Sequence, residues 1–274
     1  MRCRAVALYG VNLILLIVAL ETPAFGAGSD SAGNRPIILS DLEGLAHHGV
    51  HYVESVGEIS HGQLISAGTI LGITGVLLIT DEPVKTIASR NHSSFSDNLF
   101  RVTEQYGATG TGLILCGSVY GAGLLLGEGE VRKTGIMMFE TLIWSGLVTD
   151  FLKSALGRSR PYMDEGSLTF HPFQFKAGTT SLPSGHTTVA FALSSVLSER
   201  INNRAISVGL YSLAGLTAFA RIYHNVHWFS DTFLGAAVGT VAGIAIVRFN
   251  DEEYHHSGNE LYLIPGGVAL AFHL

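Results

Sequence analysis

The chain has 274 residues, of which 47% are hydrophobic and only 14% charged, with a formal net charge of −6. That length suffices for one domain with a sizeable core, but the charged fraction falls well below the ~25% of an ordinary soluble protein. A mean hydropathy of +0.36 marks a chain that is membrane-embedded or unusually apolar, and the acidic balance and lack of any basic motif exclude a surface for nucleic acid.

The N-terminus reads as an export signal. Arg2 and Arg4 precede an apolar run from Ala5 to Leu20, and small residues at Ala24 and Gly26 suit cleavage. An uncleaved membrane anchor is the alternative reading of residues 1–26. Cys3 leaves with a cleaved signal, Cys116 stays alone, and the mature fold is then held by burial without an internal disulfide. Residues 27–62 form an N-terminal extension, with a Gly/Ser/Asp lead-in and weak helical periodicity from Leu42 to Val56. His47, His48 and His51 lie in it without a carboxylate–histidine motif, so no metal site is assigned to them.

Six apolar runs of helical length follow, at about 63–80, 108–127, 134–155, 186–199, 205–220 and 230–248, and they define a domain over 63–250. Asp81-Glu82-Pro83 is expected to stop the first run, with a polar segment over 84–107 after it. Gly127-Glu128-Gly129-Glu130 is expected to stop the second and Gly157 the third, with Pro161 closing that exit. Gly235, Gly239 and Gly243 recur every four residues, as do Gly117 and Gly121, a spacing that lets membrane helices approach closely. Residues 161–182 are expected to form a loop carrying Tyr162, Phe170, Phe173 and Phe175, which either shapes an entrance or serves only as a connection. In the tail, 251–274, Asp251 to His256 read as a solvated linker and Leu261 to Leu274 as a short hairpin. The fold expected is all-α: a bundle of about six apolar helices with the active site at one end and a short β-like C-terminal tail.

The chemistry concentrates in Arg221 to Asp231, which reads R-I-Y-H-N-V-H-W-F-S-D. His227 and Asp231 are four residues apart, so a helix starting near His227 sets both on one face. A carboxylate there fixes the imidazole tautomer and leaves the second nitrogen as a nucleophile or base. Arg221 is a guanidinium suited to a phosphate-like oxyanion. Ser184, Gly185 and His186 open a helix after Pro183, where free backbone N–H groups make a ready anion site. Arg158, by contrast, is read only as a helix-end cation.

Three stretches in this order, Lys153 to Arg160-Pro161, Pro183-Ser184-Gly185-His186, and Arg221 with His227 and Asp231, resemble the K-x6-R-P, P-S-G-H and S-R-x5-H-x3-D signature of the type 2 phosphatidic acid phosphatase superfamily. Soluble bacterial acid phosphatases and vanadium haloperoxidases share that site. The one departure is Ala220, where the family usually has Ser; the resemblance spans roughly residues 105–248. It implies that His227 attacks phosphorus, Asp231 orients it, and His186 protonates the leaving oxygen and later activates water. It also implies that Lys153, Arg160, Ser184, Gly185 and Arg221 hold the phosphate, with no metal or other cofactor. The activity expected is hydrolysis of a lipid phosphate or diphosphate through a phosphohistidine, at a bacterial inner membrane with an outward-facing site. A soluble periplasmic acid phosphatase acting on small phosphoesters, a vanadium-dependent haloperoxidase and a non-catalytic membrane protein are the alternatives. An exported N-terminus followed by crossings at 63–80, 108–127 and 134–152 would leave Lys153 on the inner side, at odds with the outward site of the family's membrane members.

Overall fold

The computed structural model describes residues 37–55, 60–90, 92–174, 176–257, 261–264 and 267–270. The expected export signal, Cys3, the Gly/Ser lead-in and the loop aromatic Phe175 lie outside the described residues. The chain divides into two compact units, Met1–Ile65 and Ser66–Leu274. In the first, α1 spans Ile37–Ser55, taking in the weakly periodic stretch as far as Ser55, and α2, His61–Leu77, begins at its end.

In the second unit α2 runs through a 3-10 turn, Leu78–Thr80, into α3, Asp81–Ser89. Asp81-Glu82-Pro83 is therefore a helix start and not the expected stop. Pro83 falls in the first turn of α3, where its missing N–H costs little. The stretch expected to be a polar segment holds α4, Ser94–Tyr106, an amphipathic helix that buries Phe100 and Thr103. Ser93 caps it, its hydroxyl accepting the Ser96 N–H at 3.1 Å. Then come α5, Thr109–Leu126, and α6, Gly129–Leu156. Gly127, at φ +71°, turns the chain so tightly that α6 starts five residues before the expected 134.

Gly157, at φ +62°, ends α6, and a Cβ there would lie 1.8 Å from the His171 carbonyl oxygen. Pro161 instead opens a 3-10 turn, Pro161–Met163. The chain crosses the end of the bundle to α7, Gly185–Ile201, and α8, Arg204–Tyr223, whose cap Asn203 accepts the Ala205 and Ile206 N–H groups. The last helix, α9, spans Phe229–Ser257. It runs through the Asp251–His256 stretch read as a solvated linker, because neither Gly nor Pro interrupts residues 248–257. Strands β1, Leu261–Ile264, and β2, Gly267–Leu270, pair antiparallel as the expected hairpin, with Leu261 opposite Leu270.

Helix α7 is the centre of the bundle and packs against α6, α8 and α9. Its seam with α9 is made by the glycines at 235, 239 and 243. A Cβ at Gly239 would stand 2.3 Å from the Thr188 carbonyl oxygen, and one at Gly243 2.6 Å from Ser195 Cβ. The hydroxyls buried in this core are satisfied: Tyr106 Oη pairs with Ser194 Oγ at 2.9 Å and Ser195 Oγ with Tyr211 Oη at 3.0 Å.

Among the described residues, five helical stretches are long and apolar enough to cross a membrane: His61–Ser89, Thr109–Leu126, Gly129–Leu156, Arg204–Tyr223 and Phe229–Asp251. Their large apolar side chains point outward, Leu125 being 89% and Phe151 71% exposed. Such surface is costly in water and neutral in lipid, and the chain is an integral membrane protein.

Candidate active site

Helix α8 ends at Tyr223, a tight turn with Asn225 at φ +57° follows, and α9 starts at Phe229. His227 thus sits in the turn before the helix and not inside it. It still meets Asp231, with Nδ1 3.4 Å from Oδ2. The turn is fixed by the Arg221 carbonyl, which accepts the Val226 and His227 N–H groups. Asp231 is fully buried. Its carboxylate accepts the Trp228 N–H at 2.8 Å, the Ser181 hydroxyl, and Arg158 Nη1 at 2.6 Å. Facing a carboxylate, Nδ1 carries the ring proton and Nε2 keeps a lone pair. Burial of the ring, at 3% exposure, pushes His227 down to about 3 against the pull of Asp231, and Lys153 and Arg160 push the same way. The imidazole is neutral at physiological pH, the state a nucleophile needs.

Lys153, in the last turn of α6, donates from Nζ to the Thr180 carbonyl at 2.8 Å. Arg160 Nη2 reaches the same carbonyl at 3.4 Å. The Lys153 stem lies against the start of α7, its Cε 3.9 Å from where a Gly185 Cβ would be. Arg221 donates from Nη1 to Glu104 at 2.7 Å. The buried Nε groups of Arg160 and Arg221 have no acceptor among the described residues, and Lys153 Nζ has further N–H donors beyond the one it uses.

The start of α7 is tied to the start of α9, Ser184 N–H donating to the Asp231 carbonyl at 2.9 Å. The Leu182–Pro183 peptide before it is cis. Ser184 Oγ accepts the Thr187 hydroxyl and makes no cap to its own helix, so the first N–H groups of α7 are left for an anion. Burial pushes His186 down to about 4, with Arg221, Lys153 and Arg160 adding to the effect and Glu104 opposing it. All eight residues singled out in the sequence, Lys153, Arg160, Ser184, Gly185, His186, Arg221, His227 and Asp231, are therefore gathered at one end of the bundle.

The structure adds groups that the sequence reading missed. Arg158 is fully buried, not a helix-end cation at the surface. It donates to Asp231, to Ser230 Oγ at 2.7 Å, to the Ser167 carbonyl, and from Nη2 to Asp81 Oδ2 at 2.6 Å. Glu104 binds both Arg221 and His224 Nδ1, the latter at 2.9 Å, which gives His224 a structural partner. Arg158 stands inside the first motif, so its position was a signal; Asp81 and Glu104 carried none. Among the described residues no cluster of three or more His, Cys, Asp or Glu could hold a metal ion.

The family described as the PAP2 superfamily matches residues 134–254. A lipid A 1-phosphatase of Rhizobium etli is 36% identical over 114 residues, covering 40% of this chain and 47% of that protein. The chain spans less than half the length of each of the three lipid A 1-phosphatases it matches. An undecaprenyl-diphosphatase of Bacillus subtilis is 30% identical over 162 residues, covering 59% of this chain and 78% of that one. In fold, a transmembrane PAP2 type phosphatidylglycerolphosphate phosphatase of Bacillus subtilis superposes with a TM-score of 0.54 at 19% identity, over 67% of this chain and 95% of that one.

Proposed function

The chain belongs to the PAP2 superfamily, and on that premise we propose that it hydrolyses a lipid phosphate or diphosphate through a phosphohistidine intermediate. One observation carries the reading: a neutral His227, backed by Asp231, sits with Lys153, Arg160 and Arg221, and two of those cations keep buried donors without an acceptor among the described residues. A phosphoryl group set among the three cations satisfies those donors, and the first N–H groups of α7 receive a further oxygen.

Nε2 of His227 attacks phosphorus in line with the ester oxygen. The P–N bond forms as the P–O bond breaks, and the departing oxygen takes a proton from His186. Asp231 holds Nδ1–H and stabilises the positive ring that results. In the second step His186 accepts a proton from water, the water oxygen attacks phosphorus, and the P–N bond breaks to release inorganic phosphate. Lys153, Arg160 and Arg221 offset the charge on the equatorial oxygens throughout, the task a metal ion performs in other phosphoryl-transfer sites.

A lipid substrate suits a site at one end of a bundle whose outer faces are apolar. The relatives named for lipid A, undecaprenyl and phosphatidylglycerol phosphates support the same class. An outward-facing site follows if α2, α5 and α6 all cross the membrane from an inner start, since three crossings precede Lys153. That route and an export signal ahead of α2 are mutually exclusive, and reporter fusions at 90–93 and 127–129 separate them.

The test is phosphate release from a panel of lipid phosphates and diphosphates by detergent-purified protein. His227→Ala is expected to lower kcat by at least about a thousandfold. Retention of activity by His227→Ala would remove the proposed nucleophile.

A further inference from the structure

The chain beneath the nucleophile does not end at Asp231. Arg158 lies between two buried carboxylates, Asp231 Oδ1 on Nη1 and Asp81 Oδ2 on Nη2, each at 2.6 Å, with all three side chains fully buried. Asp81 also accepts the Ser230 N–H at 2.8 Å and the Ser230 hydroxyl at 2.6 Å, so it caps the first turn of α9 from a distance. It comes from the junction of the 3-10 turn with α3, well outside the matched residues 134–254.

From this arrangement we infer that Asp81 is a positioning residue for the nucleophile, acting through Arg158 and Ser230 on Asp231. The inference rests on the function proposed above. Its physical basis is charge. A guanidinium shared with Asp231 alone would neutralise that carboxylate, which already receives Ser181 and the Trp228 N–H. Asp81 takes up half of the guanidinium. The buried trio keeps one net negative charge, and that charge faces His227 as its ring turns positive on forming the P–N bond. Both carboxylates also sit at the N-terminal end of α9, where the helix dipole favours them. Asp81 touches neither phosphate nor the reacting nitrogen, so its removal weakens the step that charges the ring and spares phosphate binding.

The experiment compares the full-length protein with Asp81→Asn, Arg158→Gln and the double variant, reading kcat, KM and inhibition by orthovanadate as a phosphate probe. Asp81→Asn is expected to lower kcat about 10- to 100-fold, the scale of outer partners to an active-site ligand, with KM and vanadate inhibition within about threefold of wild type. Because Asp81 acts through Arg158, adding Asp81→Asn to Arg158→Gln is expected to change kcat by less than about threefold. An unchanged kcat in Asp81→Asn, or a full and multiplicative loss in the double variant, overturns the inference. Should Asp81→Asn fail to fold, Ser230→Ala removes the hydroxyl that donates to Asp81 and accepts from Arg158, the second link by which Asp81 holds its partners against Asp231. It is expected to lower kcat without moving vanadate inhibition, and an unchanged kcat there overturns the inference equally. A wild-type protein that releases phosphate from no phosphoester refutes the proposed function itself, a result visible before any variant is compared.

Discussion

The acid proposed to protonate the leaving oxygen must hold a proton at neutral pH, yet His186 in the free site is held down to about 4. At pH 7 that leaves about one molecule in a thousand protonated, a deficit of about 4 kcal/mol. The depression comes from burial and from Arg221, Lys153 and Arg160, the cations proposed to receive a phosphoryl group. A bound dianion reverses the sign of that field. Two negative charges about 4–6 Å from the ring, at an effective dielectric near 20, favour the imidazolium by about 5–8 kcal/mol, enough to cover the deficit. Binding of a dianion is therefore expected to take up one proton at His186, so that substrate charges its own acid. Inhibition by tungstate, a dianion that does not titrate near neutrality, reports this directly. Its inhibition constant is expected to rise about tenfold from pH 7 to pH 8 in the wild type, and to change much less in His186→Gln. Equal pH dependence in the two proteins, or none in the wild type, would refute the reasoning and pass the acid's role to another group.

Three further outcomes follow from the geometry. Gly239→Ala would force a Cβ to 2.3 Å from the Thr188 carbonyl oxygen and 2.8 Å from the Ala192 nitrogen. Backbone atoms cannot step aside cheaply, so a loss of about 1–3 kcal/mol is expected as a lower unfolding temperature in detergent, while Gly117→Ala, with open space around it, shows none. His227 binds a proton near 6.5 when unfolded but only near 3 when folded. Between those values the unfolded chain holds the extra proton, so stability is expected to fall as pH drops from 6.5, by at most a few kcal/mol, and His227→Gln should flatten the dependence of unfolding temperature on pH. Glu104→Gln takes the ionic partner from Arg221 and His224. It is expected to lower kcat/KM about tenfold with little change in unfolding temperature, and steady-state kinetics beside a melting curve checks both.

Much of this molecule is legible in the order of its residues. The helices α5 to α9 follow from apolar runs of helical length, and the eight proposed site residues from three short motifs. The three motifs close within nine, four and eleven residues, so local turns and helix starts alone bring the side chains of each near one another. The Asp81 junction defeats that reading: Asp-Glu-Pro serves as well to begin a helix as to end one. The same holds for glycine spacing. Gly235, Gly239 and Gly243 are pressed against α7, while Gly117 and Gly121, at identical intervals, meet nothing within 4 Å. Only the tertiary structure decides which stripe is an interface, because that depends on which helix lies opposite. It alone also pairs Arg158 with Asp81 and Asp231, and Arg221 with Glu104, across separations of 77, 73 and 117 residues. A buried charge requires a partner, and no local periodicity says where in the chain that partner will be.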